Sequence, residues 1–323
     1  MPSYRTPLLG ALAVLLLAPT AVTAADRPGP LVNVDWLAQN KDAEDLVVLD
    51  IRSAIDGSDR GDYEAGHIPG ALYSSYSEAG WRVEDADGVP GTLPPTEDLE
   101  TLIGELGIDN DTHVVVAPAG VGSTDFGSAA RIYWTFRVLG HDAVSILNGG
   151  HEAWVEAGHD VATGGNEPER TAEFEAEFRD ELIADADAVD AAREAGVQLV
   201  DNRPAEQFAG EEQHPAAAAS GTIPGAQNLA HHELTEAGSA FLLDEGSLNA
   251  LMDQAGVEDD GTSITFCNTG HWAAIGWFAM SEVAGHEGVA MYDGSMVEWS
   301  RDENRPLQTA RSGLGAVVDW LFN

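Results

Sequence analysis

The chain contains one set of turn motifs twice, and this repeat limits its possible folds more than any other feature. The heptapeptide AGHIPGA at residues 65–71 returns as SGTIPGA at residues 220–226, 155 positions later. The apolar segment that ends at Asp50 likewise returns as a segment that ends at Asp201. Self-similarity over this distance predicts two copies of one structural unit.

Within each copy, short apolar segments alternate with segments of helical periodicity. In the first copy the apolar segments are residues 46–50, 113–116 and 144–147, each with the length and composition of a buried strand. Strands that alternate with helices indicate a parallel sheet covered on both faces. The predicted fold class is therefore α/β, with two tandem domains, each a parallel sheet flanked by helices.

Length and composition also predict where the domains begin and end. The 323 residues suit two domains of ordinary size, each able to bury its own core. Between the two copies lies a polar stretch with Gly and Pro near its start, which is the composition of a linker. The predicted segments are a signal peptide at 1–24, a first domain at 28–163, a linker at 164–180, a second domain at 181–309 and a tail at 310–323.

The N-terminal sequence predicts export. Arg5 supplies a positive charge, residues 8–18 an apolar core, and residues 22–24 (VTA) a small-residue cleavage site. The apolar segment is short for a membrane span, and Pro19 follows it. We therefore expect a periplasmic or secreted protein that is not inserted in a membrane after signal removal.

The charge balance disfavours two classes of partner. The chain carries 55 acidic and 15 basic residues, a net charge of −40, and Lys41 is its only lysine. Such a surface disfavours nucleic acids and anionic membranes, because binding to phosphate needs clustered cations. The acidity favours adaptation to high salt, where screening removes self-repulsion, and the alternative is an acidic protein from an ordinary host.

The only cysteine stands where a strand is expected to pass into a helix. Cys267 follows the apolar segment 264–266 and precedes the polar turn 268–272, after which apolar residues fall three and four positions apart. Backbone N–H groups converge in such a loop before a helix, and they favour a thiolate or an anionic adduct. We therefore predict a reactive thiol; the alternative is a small buried apolar residue, the common role of a free cysteine.

The sequence CNTGHW at residues 267–272 resembles the active-site loop of the rhodanese superfamily of sulfurtransferases, in a form similar to that of exported bacterial members. With the repeated GxIPGA turn, the resemblance covers nearly the whole chain after residue 30 and extends to tandem-domain thiosulfate and 3-mercaptopyruvate sulfurtransferases. It implies a catalytic second domain and a catalytically silent first domain. In the first domain the position equivalent to Cys267 is near Pro118, and a longer loop without a thiol follows at residues 119–127.

The resemblance also implies roles for the residues of this loop. Cys267 would attack the outer sulfur of a small anionic donor, become a persulfide, and pass the sulfur to a thiol or cyanide acceptor. Backbone N–H groups would bind the persulfide and the donor oxygens. These groups belong to Asn268, Thr269, Gly270, His271 and Trp272. For His271 a cationic role and a plain hydrogen bond are both open, whereas Trp272 is expected to pack as a lid.

Three polar residues outside the loop are further candidates. Asp201 and Arg203 end the strand expected beside the cysteine strand, where they either position an anion or form an ion pair that fixes the strand end. The same pair recurs in the first copy as Asp50 and Arg52. Arg82 follows the first-domain turn, on the side where the domains should face each other, and is either a substrate contact or an exposed surface arginine.

Departures from the family pattern leave the donor open between thiosulfate and 3-mercaptopyruvate. Rhodaneses that favour thiosulfate usually carry basic residues where this chain has Asn268 and Thr269, and Gln207 replaces a substrate-binding arginine of the family. The related phosphatase pattern C-x5-R is not met, because Ala273 takes the arginine position. We predict neither a metal nor another cofactor. The alternative function is a non-catalytic sulfur carrier or interaction module on the same fold.

Overall fold

The structure of the protein is a computed structural model that describes residues 28–259 and 261–310. The predicted signal peptide at 1–24 and residues 311–323 of the predicted tail lie outside the described residues. Each half of the described chain contains its own parallel sheet, as the repeat predicts.

Short strands and helices alternate through both halves. The strands are Leu31–Val32 (β1), Leu46–Asp50 (β2), Leu72–Tyr73 (β3), Val83–Glu84 (β4), Pro90–Thr92 (β5), His113–Ala117 (β6), Val144–Leu147 (β7), Gln198–Asp201 (β8), Gln227–Asn228 (β9), Ser263–Phe266 (β10) and Val289–Met291 (β11). The α-helices are Val34–Asn40 (α1), Arg60–Ala65 (α2), Thr96–Glu105 (α3), Ser123–Val138 (α4), Gly150–Glu156 (α5), Ala186–Ala195 (α6), Ala205–Phe208 (α7), Glu245–Ala255 (α8), Ala273–Trp277 (α9) and Ser295–Trp299 (α10). Two 3-10 helices, Asp180–Leu182 and His231–Glu233, and the π-helix Phe278–Val283 complete the described regular structure. None of these helices has the length and apolar composition needed to cross a bilayer.

Strand order brings the cysteine strand beside the strand of the aspartate motif. The first sheet has the order β1-β7-β6-β2-β3 and the second β11-β10-β8-β9, and all neighbours within both sheets are parallel. Because parallel strands end at one edge, functional loops collect there. Phe266 at the end of β10 is paired with Asp201 at the end of β8. The small antiparallel hairpin β4–β5 belongs to the first domain.

The central strands form where the sequence predicts them. β2 and β7 coincide with the predicted segments, and β6 extends its segment by one residue. All five residues of β6, HVVVA, are buried, as are all four of β10, SITF. Strands of a sheet that is covered on both faces have no exposed side, so they are recognisable as continuous apolar or β-branched runs.

Helix α4 begins earlier than the sequence predicts. The expected long loop at 119–127 is wrong, because α4 starts at Ser123 and leaves only residues 118–122 as the connection from β6. In the sequence, the glycine at position 127 favours a loop. In the structure it lies inside α4, where the helix packs closely against the second domain. A Cβ at Gly127 would lie 3.0 Å from His271 Nε2 and 3.2 Å from Ile275 Cδ1. Tertiary packing therefore overrides the local preference of glycine.

Helix α4 joins the two domains into one core. It is buried at 13 of its 16 positions, on all sides of the helix, so it has no face left for solvent. One side packs on the first sheet and another packs on the second domain, where Tyr133 meets Phe278 edge-on with ring centroids 4.8 Å apart. The first domain is therefore fixed against the end of β10.

Candidate active site

Cys267 lies directly after β10 and is a free, buried cysteine with 1% of its surface exposed. Helix α9 begins six residues later, at Ala273. We call residues 267–272 the cysteine loop. Burial alone fits both a reactive thiol and a small core residue, so the contacts of the loop decide between them.

Ser295 holds the cysteine loop in place. Its hydroxyl accepts hydrogen bonds from the backbone N–H of Cys267 at 3.0 Å and of Gly270 at 3.1 Å, and it donates to the Tyr292 carbonyl at 2.7 Å. Among the described non-glycine residues, Ser295 alone has a positive φ, 51°. Such a backbone conformation costs about 1–3 kcal/mol, and the three hydrogen bonds offset this strain.

The bonds to Ser295 alter the predicted anion cradle. The sequence predicts that the N–H of Gly270 binds the persulfide, but this donor is occupied by the Ser295 hydroxyl, so the prediction is wrong for Gly270. The loop keeps four backbone N–H groups without an acceptor among the described residues, and these can bind an anion. They belong to Asn268, Thr269, His271 and Trp272.

Gly270 meets a buried arginine of the first domain. Arg131 in α4 donates from Nη1 to the Gly270 carbonyl at 3.2 Å and from Nη2 to Asp293 Oδ2 at 3.3 Å. Asp293 Oδ2 also accepts from the Leu93 N–H, at 2.7 Å. A Cβ at Gly270 would collide with Arg131 Nη1 and lie 2.8 Å from both the Cα and the carbonyl oxygen of Asp293. Gly270 is therefore required by its φ of +69° and by this close approach.

His271 links the loop to the first domain through both ring nitrogens. Nε2 lies 2.8 Å from the Thr124 carbonyl oxygen, and Nδ1 lies 2.8 Å from the Tyr76 hydroxyl. Burial, reinforced by the charge of Arg82, lowers the pKa of His271 to about 3. His271 is therefore neutral at physiological pH. The contacts and the lowered pKa favour the hydrogen-bonding alternative over the cationic one.

Arg82 lies against the cysteine loop instead of on the free surface. Its Nη1 donates to the Tyr76 hydroxyl at 2.8 Å. A Cβ at Gly91 in β5 would lie 2.9 Å from the Thr269 carbonyl oxygen and 3.0 Å from Arg82 Nη2, so the hairpin brings guanidinium and loop together. Burial acts to lower the pKa of Arg82, but Tyr76 and the Cys267 sulfur outweigh it and the net direction is upward. The exposed-surface alternative for Arg82 is therefore wrong.

Two other loop residues bind neighbouring side chains. Asn268 Nδ2 donates to Gln207 Oε1 at 2.8 Å, so the residue that replaces the family arginine contacts the loop through a neutral amide. Trp272 stacks on His231 with ring centroids 4.2 Å apart, and its Nε1 donates to Thr124 Oγ1 at 3.3 Å. Trp272 thus packs across the domain interface.

The Asp201–Arg203 pair fixes a strand end. Arg203 Nη2 donates to Asp201 Oδ2 at 2.6 Å and to the Gly221 carbonyl at 2.8 Å, and both charged residues are buried. Arg52 and Asp50 form the same pair in the first domain, at 2.7 Å. Because the pair recurs in the domain without a thiol, its contacts support the structural interpretation and not a substrate contact for Arg203.

The loop of the first domain at 118–122 already binds a carboxylate of its own chain. Asp125 accepts hydrogen bonds from the N–H groups of Ala119 at 3.1 Å, Gly120 at 2.5 Å and Val121 at 3.1 Å. Burial raises the pKa of Asp125 to about 7. This loop therefore lacks a thiol, and the N–H groups of Ala119, Gly120 and Val121 are already bound to Asp125.

Sequence reasoning missed several residues that contact or support the loop. They are Tyr76, Thr124, Arg131, Asp293 and Ser295. The repeat contained a signal for two of them, since Asp293 and Ser295 stand where the first copy has Asn148 and Gly150. Gly150 also has a positive φ, 61°. A serine where the other copy has a glycine indicates that the serine side chain makes specific contacts. Tyr76, Thr124 and Arg131 carry no such signal in the sequence.

The groups around the cysteine loop are a neutral histidine, two arginines, the Asp293 carboxylate that pairs with one of them, hydroxyls and backbone amides. Nowhere in residues 28–259 and 261–310 do three His, Cys, Asp or Glu side chains lie close enough to hold a metal ion. Such a site suits a nucleophilic thiolate and an anionic partner, because N–H donors and guanidinium both bind anions.

A model of the rhodanese-like domain matches this chain twice, at residues 33–157 and at residues 185–302. The chain belongs to the rhodanese family. The second match contains the cysteine loop, and the two matches confirm the predicted tandem arrangement of α/β domains. The first domain of this rhodanese contributes Tyr76, Thr124 and Arg131 to the contacts of the loop of the second.

The matches between this rhodanese and its relatives extend over almost the whole length of each relative. The 3-mercaptopyruvate sulfurtransferase of Escherichia coli K12 is 32% identical over 87% of this chain and 98% of its own. A protein of Haloferax volcanii whose name proposes thiosulfate sulfurtransferase activity is 31% identical over 86% of this chain and 96% of its own. The crystal structure of SseA from E. coli, a 3-mercaptopyruvate sulfotransferase by its description, matches with a TM-score of 0.72 at 30% identity, over 83% of this chain and 99% of SseA. These relatives identify the enzyme class as sulfurtransferase.

Proposed function

We propose that this rhodanese is an exported sulfurtransferase that carries sulfane sulfur as a persulfide on Cys267. The Cys267 thiolate attacks the outer sulfur of the donor, and the bond between this sulfur and the rest of the donor breaks. The remainder leaves with the electron pair, as sulfite from thiosulfate or as the enolate of pyruvate from 3-mercaptopyruvate. A cyanide or thiolate acceptor then attacks the outer persulfide sulfur and restores the Cys267 thiolate.

One observation carries this proposal: the cysteine loop offers backbone N–H groups that have no acceptor in residues 28–259 and 261–310, and Arg82 lies against it. Both kinds of donor bind an anionic sulfur compound, and the arginine does so with a full charge. Asn268 and Thr269 are neutral where rhodaneses that favour thiosulfate usually carry basic residues, and Gln207 is neutral where the resemblance implies an arginine. The missing charge therefore comes from the silent domain, through Arg82.

Arg82→Ala is expected to raise the KM for the donor about five- to tenfold while kcat stays within about twofold, because a charge-assisted contact of about 1–1.4 kcal/mol is lost. Loss of a contact that ground state and transition state share raises KM without lowering kcat. The measurement is steady-state kinetics on purified protein with thiosulfate and with 3-mercaptopyruvate, each with cyanide and with a thiol as acceptor.

Arg301→Ala is the matched control for this prediction. Arg301 is exposed and donates to the carbonyls of Asp87 and Gly88, beside the tip of the β4–β5 hairpin. Its removal takes away one cation and two interdomain hydrogen bonds, which go to the hairpin and not to the cysteine loop. Equal increases in KM for both variants would show a general effect of charge, and unchanged kinetics in Arg82→Ala would remove Arg82 from the donor site.

A second candidate function, sulfur carriage without turnover, has support from one relative. The sulfur carrier protein TtuD of Thermus thermophilus is 30% identical over 87% of this chain and 97% of its own. Both functions use a persulfide, so sulfur loading does not separate them. Multiple turnovers with a small acceptor support the enzyme, whereas loading followed by a single slow release to that acceptor would favour the carrier.

High salt is the environment that the charge of −40 favours. The melting temperature is expected to rise from low salt to about 1 M NaCl, where the Debye length falls to about 3 Å and self-repulsion is screened. Thermal unfolding followed at increasing NaCl checks this, and a flat or falling melting temperature removes the proposed adaptation.

Export is tested separately, by sequencing the N-terminus of the native protein, which is expected to begin at Ala25.

A further inference from the structure

Three side chains from the two domains form one hydrogen-bond chain beside the cysteine loop. Arg82 Nη1 lies 2.8 Å from the Tyr76 oxygen, and the Tyr76 oxygen lies 2.8 Å from His271 Nδ1. His271 Nε2 lies 2.8 Å from the carbonyl oxygen of Thr124. Tyr76 and His271 are buried, so the bond between them is shielded from water.

The two ends of the chain determine the direction of every bond in it. A guanidinium only donates, and a carbonyl only accepts. His271 Nε2 therefore carries the proton, and in the neutral ring Nδ1 is an acceptor. The Tyr76 hydroxyl must then donate to His271 and accept from Arg82. Because burial keeps the pKa of His271 at about 3, the same arrangement persists through neutral pH.

We propose that Tyr76 is a positioning residue for sulfur transfer: its hydroxyl, oriented by His271, fixes the Arg82 guanidinium against the cysteine loop, where an anionic donor binds. This inference rests on the proposed function and adds to it a residue that does not touch the reacting atoms. An unrestrained arginine loses about 1.5–2 kcal/mol of side-chain entropy when it binds a ligand. Because Tyr76 already holds Arg82, this side-chain entropy is lost when the protein folds and not when the donor binds. The affinity for the donor is therefore higher.

A comparison of the two repeats supports this role of Tyr76 only beside the loop that carries the thiol. The counterpart of Tyr76 in the second copy is His231, since both donate their backbone N–H to the carbonyl one residue past the strand-end aspartate. His231 lies between the two domains: its Nδ1 lies 3.1 Å from Ser123 Oγ at the start of α4, and its ring stacks on Trp272. At the same offset of 155 residues, Arg82 corresponds to Ala237. The pair of a hydroxyl and an arginine thus occurs only where the thiol is.

Tyr76→Phe isolates the hydroxyl in this arrangement. The ring remains, and so does its contact with Arg82, whose Cζ lies 5.1 Å from the ring centroid. We expect the donor KM to rise about three- to tenfold with kcat within about twofold, because Arg82 is then less restrained and loses more side-chain entropy when the donor binds. In an Arg82→Ala background the same substitution is expected to change KM less than about 1.5-fold, because Tyr76 acts through Arg82.

Tyr133→Phe is the matched control. Tyr133 is also buried, and its hydroxyl donates across the domain interface to Glu282 Oε2 at 2.7 Å, away from Arg82. It should lower the free energy of unfolding by about 1–3 kcal/mol through the loss of one interdomain hydrogen bond, whereas Tyr76→Phe loses both the bond to His271 and the bond from Arg82. Its donor KM is expected to equal that of the wild type.

Three outcomes would overturn the assignment of Tyr76. They are an unchanged KM in Tyr76→Phe, an equal rise in KM in Tyr133→Phe, and effects of Tyr76→Phe and Arg82→Ala that multiply independently. Persulfide loading, measured by intact mass, separates this failure from that of the proposed function. Wild-type protein that gains no sulfur from any donor overturns both, whereas normal loading with an unchanged KM in Tyr76→Phe overturns only the role of Tyr76.

Discussion

Cys267→Ser is expected to abolish persulfide formation and to lower the rate of sulfur transfer at least about a thousandfold, because a hydroxyl is a far weaker nucleophile than a thiolate at neutral pH. The chain has one cysteine, so no second thiol can substitute. Incubation with the correct donor should make the wild-type protein heavier by one sulfur atom, on the peptide that contains Cys267. Cyanide or a thiol should remove this atom, and the variant should show neither change.

The fold of Cys267→Ser must be measured alongside its activity. A hydroxyl in this buried position is expected to lower the free energy of unfolding by about 1–2 kcal/mol, which leaves the protein folded. Circular dichroism and a denaturant titration check this. A folded variant that transfers sulfur at the wild-type rate would contradict the assignment of the nucleophile.

Gly270→Ala is expected to lower sulfur transfer at least about a hundredfold and the free energy of unfolding by about 3 kcal/mol or more, through strain and a collision together. The left-handed backbone at φ +69° costs an alanine about 1–2 kcal/mol. The added Cβ also meets Arg131 Nη1 and lies 2.8 Å from the Cα of Asp293. Since Arg131 is buried and hydrogen-bonded, the loop must move, and the N–H groups next to Cys267 move with it.

Gly225→Ala separates strain from collision. Gly225 has φ +88° and is exposed, and a Cβ there meets no atom within 4 Å. It should lower the free energy of unfolding by about 1–2 kcal/mol and leave transfer unchanged. Steady-state transfer assays and denaturant titrations on both variants make the comparison. Equal losses in the two variants would mean that backbone strain, and not the contact with Arg131 and Asp293, explains the role of Gly270.

Local patterns explain why the strands and the nucleophile could be predicted. A strand that is buried on both faces has a continuous apolar sequence, so β2, β6 and β10 are visible without any knowledge of their neighbours. Cys267 is visible for a similar reason, because it is the one thiol and stands between a strand and a helix. Helix α4 was not delimited correctly, since Gly127 is accommodated by its contact with His271 in the second domain.

By itself, the sequence determined the two α/β copies, the loop that carries the thiol and the copy that lacks one. Only the tertiary structure decided which groups serve that loop. Tyr76 and His271 are 195 positions apart, and Arg131 is 139 positions from Gly270. Whether a histidine is charged, an arginine exposed or an N–H free depends on burial and on partners that packing brings together. No local pattern in the chain records those contacts.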